Sequence, residues 1–361
     1  MSRDRGGFAP AVGFVLGGLG LGTGFLRWTE LVAVGPVESL PGVLFGLLAL
    51  AGFAARRYGA TDRRWSLLAG VGAGGLATAA GVATLHPSAM ADPGVGLGVP
   101  VAFVVGVLGV GIAYADSLGQ DRAHILVRSH ATSTALFIGL TGLLVGFAFS
   151  TVAVLALFPG GSIASNGVAT AAFSVGLGVV AVGYVIRTGR GWDFFDVAWP
   201  TRRGWLYVIG GTIAMFVILG VSGWLAELVG VPSVEHGLIE QAREDPVILL
   251  AFIPLSWLAI GPGEELLSRN VVQKHLYDAF SRRSAVIVAT VVFTVIHLPA
   301  YATGPPPAIF ATLLRLFGIS LVLGIVYERT ENVVVPALVH GTYDAIQFGL
   351  AYVAITAGVL G

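Results

Sequence analysis

Stretches of about twenty mostly apolar residues, the length a helix needs to cross a hydrocarbon layer, recur along this chain with short polar intervals between them. Eleven such segments fall near 8–27, 39–55, 65–85, 95–115, 131–158, 167–186, 205–228, 247–279, 284–299, 308–327 and 332–358. Charged residues make up 11% of the chain and apolar residues 55%. Soluble domains carry roughly 25% charged residues, so little of this chain has a water-facing surface to build. The expected fold class is all-α, a polytopic transmembrane helix bundle of about eleven spans. The 20 basic and 20 acidic residues cancel, which argues against nucleic acid as a partner and leaves the lipid bilayer as the surroundings. The absence of cysteine excludes disulfides, thiol nucleophiles and thiolate-bound metal.

Basic residues accumulate in cytoplasmic loops, so their positions orient the spans. Arg3 and Arg5 precede the first segment, Arg56, Arg57, Arg63 and Arg64 follow the second, and Arg122 and Arg128 follow the fourth. Arg187, Arg190, Arg202 and Arg203 follow the sixth, Arg282 and Arg283 the eighth, and Arg329 the tenth, while the opposite loops offer little beyond Arg27 and Arg243. A cell-membrane protein with its N-terminus in the cytoplasm satisfies this alternation. The first segment lacks a clear small-residue cleavage site and is expected to remain as a span.

The chain divides by chemistry near residue 190. Residues 1–190 hold six spans with almost no ionisable group in their apolar cores and read as an accessory bundle. Residues 191–204, with Trp192, Phe194, Phe195 and Trp199 beside Asp193, Asp196, Arg202 and Arg203, read as an interfacial linker. Residues 205–358 hold the chemistry.

Glu264, Glu265 and Arg269 occur together in EELLSR, inside the eighth apolar segment. A charged side chain at the membrane centre costs about 2.5 to 3.5 kcal/mol on insertion scales, so such a cluster needs mutual pairing and usually a function. Glu265 and Arg269 share a helix face with the acid toward the N-terminus, the favourable order for an ion pair. Glu264 is rotated by about 100° from its neighbour and is left as the candidate for chemistry. Pro254 and the GPG at Gly261 to Gly263 predict that this segment breaks into two helical pieces, the second beginning at the glutamates, where free N–H groups favour a carboxylate.

If the chain turns near Ser281 to Arg283, Glu264 lies roughly 24 Å back from the turn and His297 roughly 21 Å forward, which makes them level. His340 and Asp344 share a face of the last segment, roughly 12 and 18 Å from its inner end at Asn332. Three helices can therefore converge on one polar pocket. The other histidines, His86, His124, His130, His236 and His275, fall in loops or at helix ends and read as surface residues. Arg315, within the tenth segment, has three readings: a pair with Glu265 or Asp344, snorkelling, or a substrate contact.

EELLSR, FTVIH at Phe293 to His297 and HGTYD at His340 to Asp344 resemble, in order and spacing, the EExxxR, FxxxH and HxxxN/D motifs of the CPBP intramembrane proteases. That family includes the CAAX prenyl endopeptidases and the bacteriocin-processing Abi proteins. The resemblance covers about residues 205–355. It implies hydrolysis of peptide bonds in membrane-embedded or lipidated peptide or protein substrates, of the CAAX type or as peptide precursors. Glu264 and His297 would activate a water, and His340 and Asp344 would stabilise the oxyanion. Glu265 and Arg269 would hold the helix behind them, and Phe293 would form a substrate-side wall. Ser268 and Asn270 stand where members often carry an aromatic and a glycine. An ionised Asp344 cannot donate to an oxyanion, so it must be protonated, orient His340 or bind a metal. The cofactor expectation is either none or one zinc on Glu264, His297 and His340 with a fourth position open. The competing functions are a secondary transporter or proton-coupled channel, which also gathers such residues at mid-membrane on broken helices, and a non-catalytic scaffold on the same fold.

Overall fold

A computed structural model describes residues 7–30, 40–85, 93–159, 165–231, 237–301 and 305–359. Arg3, Arg5, His86 and His236 lie outside the described residues, as does the side chain of Arg27. The helices are α1 (Phe8–Glu30), α2 (Leu40–Arg57), α3 (Arg63–Leu85), α4 (Pro93–Ser117), α5 (Arg122–Leu157), α6 (Ser165–Thr188), α7 (Arg202–Leu228) and α8 (Gly237–Ala242). They continue with α9 (Ile248–Leu276), α10 (Arg282–Ile296), α11 (Leu298–Tyr301), α12 (Pro306–Thr330) and α13 (Val334–Thr356). No strand occurs among the described residues, so the protein is an all-α, multi-pass membrane protein.

Each of the eleven apolar segments corresponds to one of these helices, and eight are long and apolar enough to cross a membrane. The other three are α1, whose described apolar part is Phe8–Thr23, the 15-residue α10, and α13, which carries His340 and Asp344. Those are shortened or made polar where the motif residues and their connections sit, apart from α1.

The helices form two compact units. The first comprises Met1–Ser129 with Pro306–Phe310. Within it α2 packs on α3, α3 on α4, and α1 on both α2 and α4, around Leu76, Ala80, Val99, Ala102 and Val105. Small residues bring these backbones together: a Cβ at Gly106 would stand 2.7 Å from the Ala73 carbonyl oxygen. At one end, Arg56 donates to both oxygens of Asp116, from Nε at 2.7 Å and Nη2 at 3.0 Å, and Ser66 donates to the same carboxylate.

The second unit comprises His130–Pro305 and Ala311–Gly361, so the division expected near residue 190 falls inside it. Helix α9 is its axis. On one side Leu267, Val271, Val272 and Leu276 pack with Ala135 and Ile138 of α5, Leu177, Ala181 and Val185 of α6, and Ala285, Ala289 and Val292 of α10. On the other, Ile248, Leu249 and Phe252 pack with α8 and with Phe348, Ala351 and Tyr352 of α13. A third cluster joins α7, α12 and α13 through Met215, Leu323 and Val339.

The expected break at GPG does not occur. Helix α9 runs from Ile248 to Leu276 without interruption and absorbs Pro254 and Pro262 through two wide π-helical stretches, Ser256–Ile260 and Leu266–Gln273. A proline lacks the N–H that continues the ladder, and a wide turn beside it relieves the mismatch without ending the helix. The glutamates therefore stand in mid-helix, and the argument from a fresh N-terminus does not apply to them.

Candidate active site

Two glycines bring α9 and α13 into backbone contact. A Cβ at Gly341 would lie 2.6 Å from the Ser256 carbonyl oxygen, and one at Gly261 would collide with the Ala337 carbonyl oxygen. Gly263 makes the corresponding approach to α6, where a Cβ would stand 2.8 Å from Ser174 Cβ. GPG thus serves close packing, and it sets the glutamates beside His340.

From there a continuous polar chain runs through the second unit. Arg269 Nε donates to Glu265 Oε2 at 2.9 Å, Glu265 Oε1 lies 3.1 Å from His340 Nδ1, and His340 Nε2 lies 3.4 Å from Asp344 Oδ2. Glu265 and Arg269 are fully buried. Arg269 also donates from Nη2 to Ser320 Oγ on α12 at 3.1 Å, and its guanidinium lies 4.9 Å from the centre of the Phe293 ring.

Glu264 leaves an adjoining face of α9, where Glu264 Oε2 is 3.7 Å from His297 Nε2. His297 caps the end of α10, and its Nδ1 lies 2.7 Å from the Phe293 carbonyl oxygen. A carbonyl only accepts, so Nδ1 carries a proton and Nε2 is the nitrogen presented to Glu264. The imidazole rests on the Phe293 ring with centroids 4.2 Å apart. Phe293 is therefore held between His297 and Arg269 and joins the two halves of the site.

Glu264 and His297 stand at a cavity of about 360 Å³. Its walls are otherwise mainly apolar, with Leu143 and Phe147 from α5, Phe173 from α6 and Ile296 from α10, and Phe293 and Ser268 also reach it. The site residues predicted from sequence come together as two sets: Glu264 with His297 on the cavity, and His340 and Asp344, with their supports Glu265 and Arg269, outside its lining. His340 takes Glu265 as its direct partner and lies within electrostatic reach of Glu264. With three carboxyl groups facing one guanidinium and two imidazoles, the whole set is neutral when both rings are protonated, which limits the cost of holding it in a bilayer.

Of the three readings of Arg315, the pair with Glu265 or Asp344 does not form among the described residues; its Nε donates to Ser222 Oγ on α7 at 2.9 Å. One expectation changes. His275 is half-buried against α6, its Nδ1 3.1 Å from the Tyr184 hydroxyl, because α6 covers that end of α9. His124 and His130 are exposed. Ser320 went unnoticed in the sequence, since a serine in an apolar helix ordinarily satisfies its hydroxyl on its own backbone.

Glu264, His297 and His340 do not fit a zinc triad. Both nitrogens of His340 face carboxylates, Glu265 and Asp344, and among the described residues no group of three His, Cys, Asp or Glu side chains is placed to hold a metal.

No curated protein and no solved structure matches the chain. Residues 246–346, which carry all three motifs, match the family model of the type II CAAX prenyl endopeptidase Rce1-like proteins, and this match supports a membrane protease.

Proposed function

We propose that the protein is an intramembrane endopeptidase that cleaves membrane-embedded or lipidated peptide substrates, with CAAX-type tails the class that the family match favours. The observation that carries this reading is the 3.7 Å approach of Glu264 and His297 at the polar end of an apolar cavity, within the segment that matches the family. Glu264 takes a proton from a water held against His297 Nε2, and the water oxygen adds to the peptide carbonyl carbon. The carbonyl oxygen becomes an oxyanion, stabilised by the positive charge of the His340 imidazolium, both of whose nitrogens stay engaged by Glu265 and Asp344. Glu264 then passes its proton to the amine nitrogen as the C–N bond breaks. Asp344 orients the His340 ring through Nε2, and Glu265 with Arg269 holds the same ring from Nδ1. The cavity wall built by α5 and α6 receives the apolar part of the substrate. In this reading residues 205–358 form the catalytic region with α5 and α6 as its wall, the preceding helices are accessory, and the N-terminus faces the cytoplasm.

The test is turnover of a membrane-anchored reporter in reconstituted vesicles. Glu264→Gln keeps the side chain's size and removes the base, so cleavage should vanish while the thermal unfolding profile stays as in the unsubstituted protein. Undiminished cleavage by this variant removes Glu264 from the reaction.

A further inference from the structure

The linker between α6 and α7 is bound into the body that holds the site. After a short 3₁₀ turn at Trp192–Phe194, the chain runs without regular secondary structure to Thr201, which caps α7 by accepting from Gly204 N. Trp192, Val197 and Trp199 face outward, whereas Asp196 turns in. Its backbone oxygen accepts from Val333 N at 2.8 Å, and Asn332 donates from Nδ2 to the Ala198 carbonyl oxygen at 2.8 Å, which ties the linker to the α12–α13 turn.

The Asp196 carboxylate gathers donors from two helices. Lys274 Nζ lies 2.9 Å from each of its oxygens, Asn270 Nδ2 donates at 3.2 Å, and the Tyr327 hydroxyl of α12 donates at 2.5 Å. Asn270 and Lys274 both also donate to the Phe194 carbonyl oxygen, and the Lys274 ammonium sits 4.4 Å from the centre of the Phe194 ring. Charge-assisted hydrogen bonds of this kind are about twice as strong as neutral ones.

The position of these partners gives the arrangement its consequence. Asn270 lies within the wide stretch Leu266–Gln273 and Lys274 directly follows it, while Arg269, next to Asn270, holds Glu265. A π-helical turn carries an extra residue relative to the α-helix and persists where tertiary contacts hold it. Relaxation of this stretch to an ordinary helix would rotate one end of α9 against the other by about 100° and take the glutamates away from His297 and His340.

We infer that Asp196 is a positioning residue for the proposed hydrolysis, clamping the π-helical stretch of α9 through Asn270 and Lys274 so that Glu264 and Glu265 meet their histidines. The inference rests on the hydrolytic reading, and its test separates the two. The chain has no cysteine, so spin labels on cysteines introduced at Leu258 and Asp278 bracket the stretch without further changes. Both positions are exposed. In the full-length protein in nanodiscs, Asp196→Asn should shift the label-to-label distance by several ångströms, and in the unlabelled protein it should lower kcat about 100-fold with KM held within about twofold. Asp196→Glu, which keeps a carboxylate, should retain the original distance. An unchanged distance in Asp196→Asn overturns the inference whatever its turnover. A shifted distance in a protein that cleaves nothing even without the substitution supports the clamp and removes the hydrolytic reading. Should Asp196→Asn fail to fold, Tyr327→Phe, which takes away one donor only, is judged by the same two criteria.

Discussion

Glu265 is shared between Arg269 and His340: one carboxylate oxygen accepts from Arg269 Nε at 2.9 Å, the other lies 3.1 Å from His340 Nδ1, and the side chain is fully buried. Through this one acid, α9 is bonded to itself and to α13, and Arg269 extends the connection to Ser320 on α12. The group that holds three helices together is adjacent in sequence to Glu264, which lines the cavity.

Removing Arg269 leaves Glu265 buried with its nearest cation gone. Arg269→Leu should destabilise the protein by about 3 to 5 kcal/mol, read as a lower unfolding temperature in detergent. Stability equal to that of the unsubstituted protein would show that the pair is not sustained.

The contact between α9 and α13 depends on the absence of a side chain at Gly341. Gly341→Ala places a methyl group against the Ser256 carbonyl oxygen and should cost about 1 to 3 kcal/mol. It should also reduce turnover by moving His340 from Glu265. A variant as stable and as active as the original would contradict the close approach of the two backbones.

The apolar cavity is predicted to govern substrate affinity apart from the chemical step. Ala169→Phe, on the α6 wall, should raise KM for a bulky lipidated reporter about tenfold and leave kcat within about twofold, the pattern of lost uniform binding. A fall in kcat with KM unchanged would place the substrate elsewhere.

His340 is engaged at both nitrogens, and His297 presents a single nitrogen to Glu264. Turnover should therefore withstand a strong zinc chelator. Loss of activity that zinc restores would require the side chains to rearrange around a metal, against the geometry described here.

Phe293 lies between the His297 ring and the Arg269 guanidinium. Phe293→Leu keeps an apolar side chain but loses the ring face, which is worth about 0.5 to 2 kcal/mol toward a cation. The variant should fold and show lower kcat, because His297 loses its support; full kcat would make the stacking incidental.

Much of this arrangement was legible from residue spacing. The four-residue interval of Glu265 and Arg269 predicted their pair, and counting back and forward from the turn at Ser281 predicted that Glu264 and His297 would be level. Other features depend on contacts between segments remote in sequence. GPG reads as a break because proline and glycine weaken an isolated helix, yet in the fold α6 and α13 press on both sides of α9 and keep it continuous. Asp196 sits in a stretch whose aromatics suggested only an interfacial connector, and nothing nearby in sequence announces Lys274, Asn270 and Tyr327 as its partners.

By itself the sequence determined that the protein is a bundle of apolar helices and which ionisable residues such helices would not carry idly, because hydrophobic length and the cost of buried charge are local properties of a segment. Tertiary structure alone decided that His340 pairs with Glu265, since helix periodicity gives the face on which a side chain lies but not which neighbouring helix that face meets. That choice follows from the packing of Gly261 and Gly341 and from the wide turns of α9, which set how far the helix is rolled.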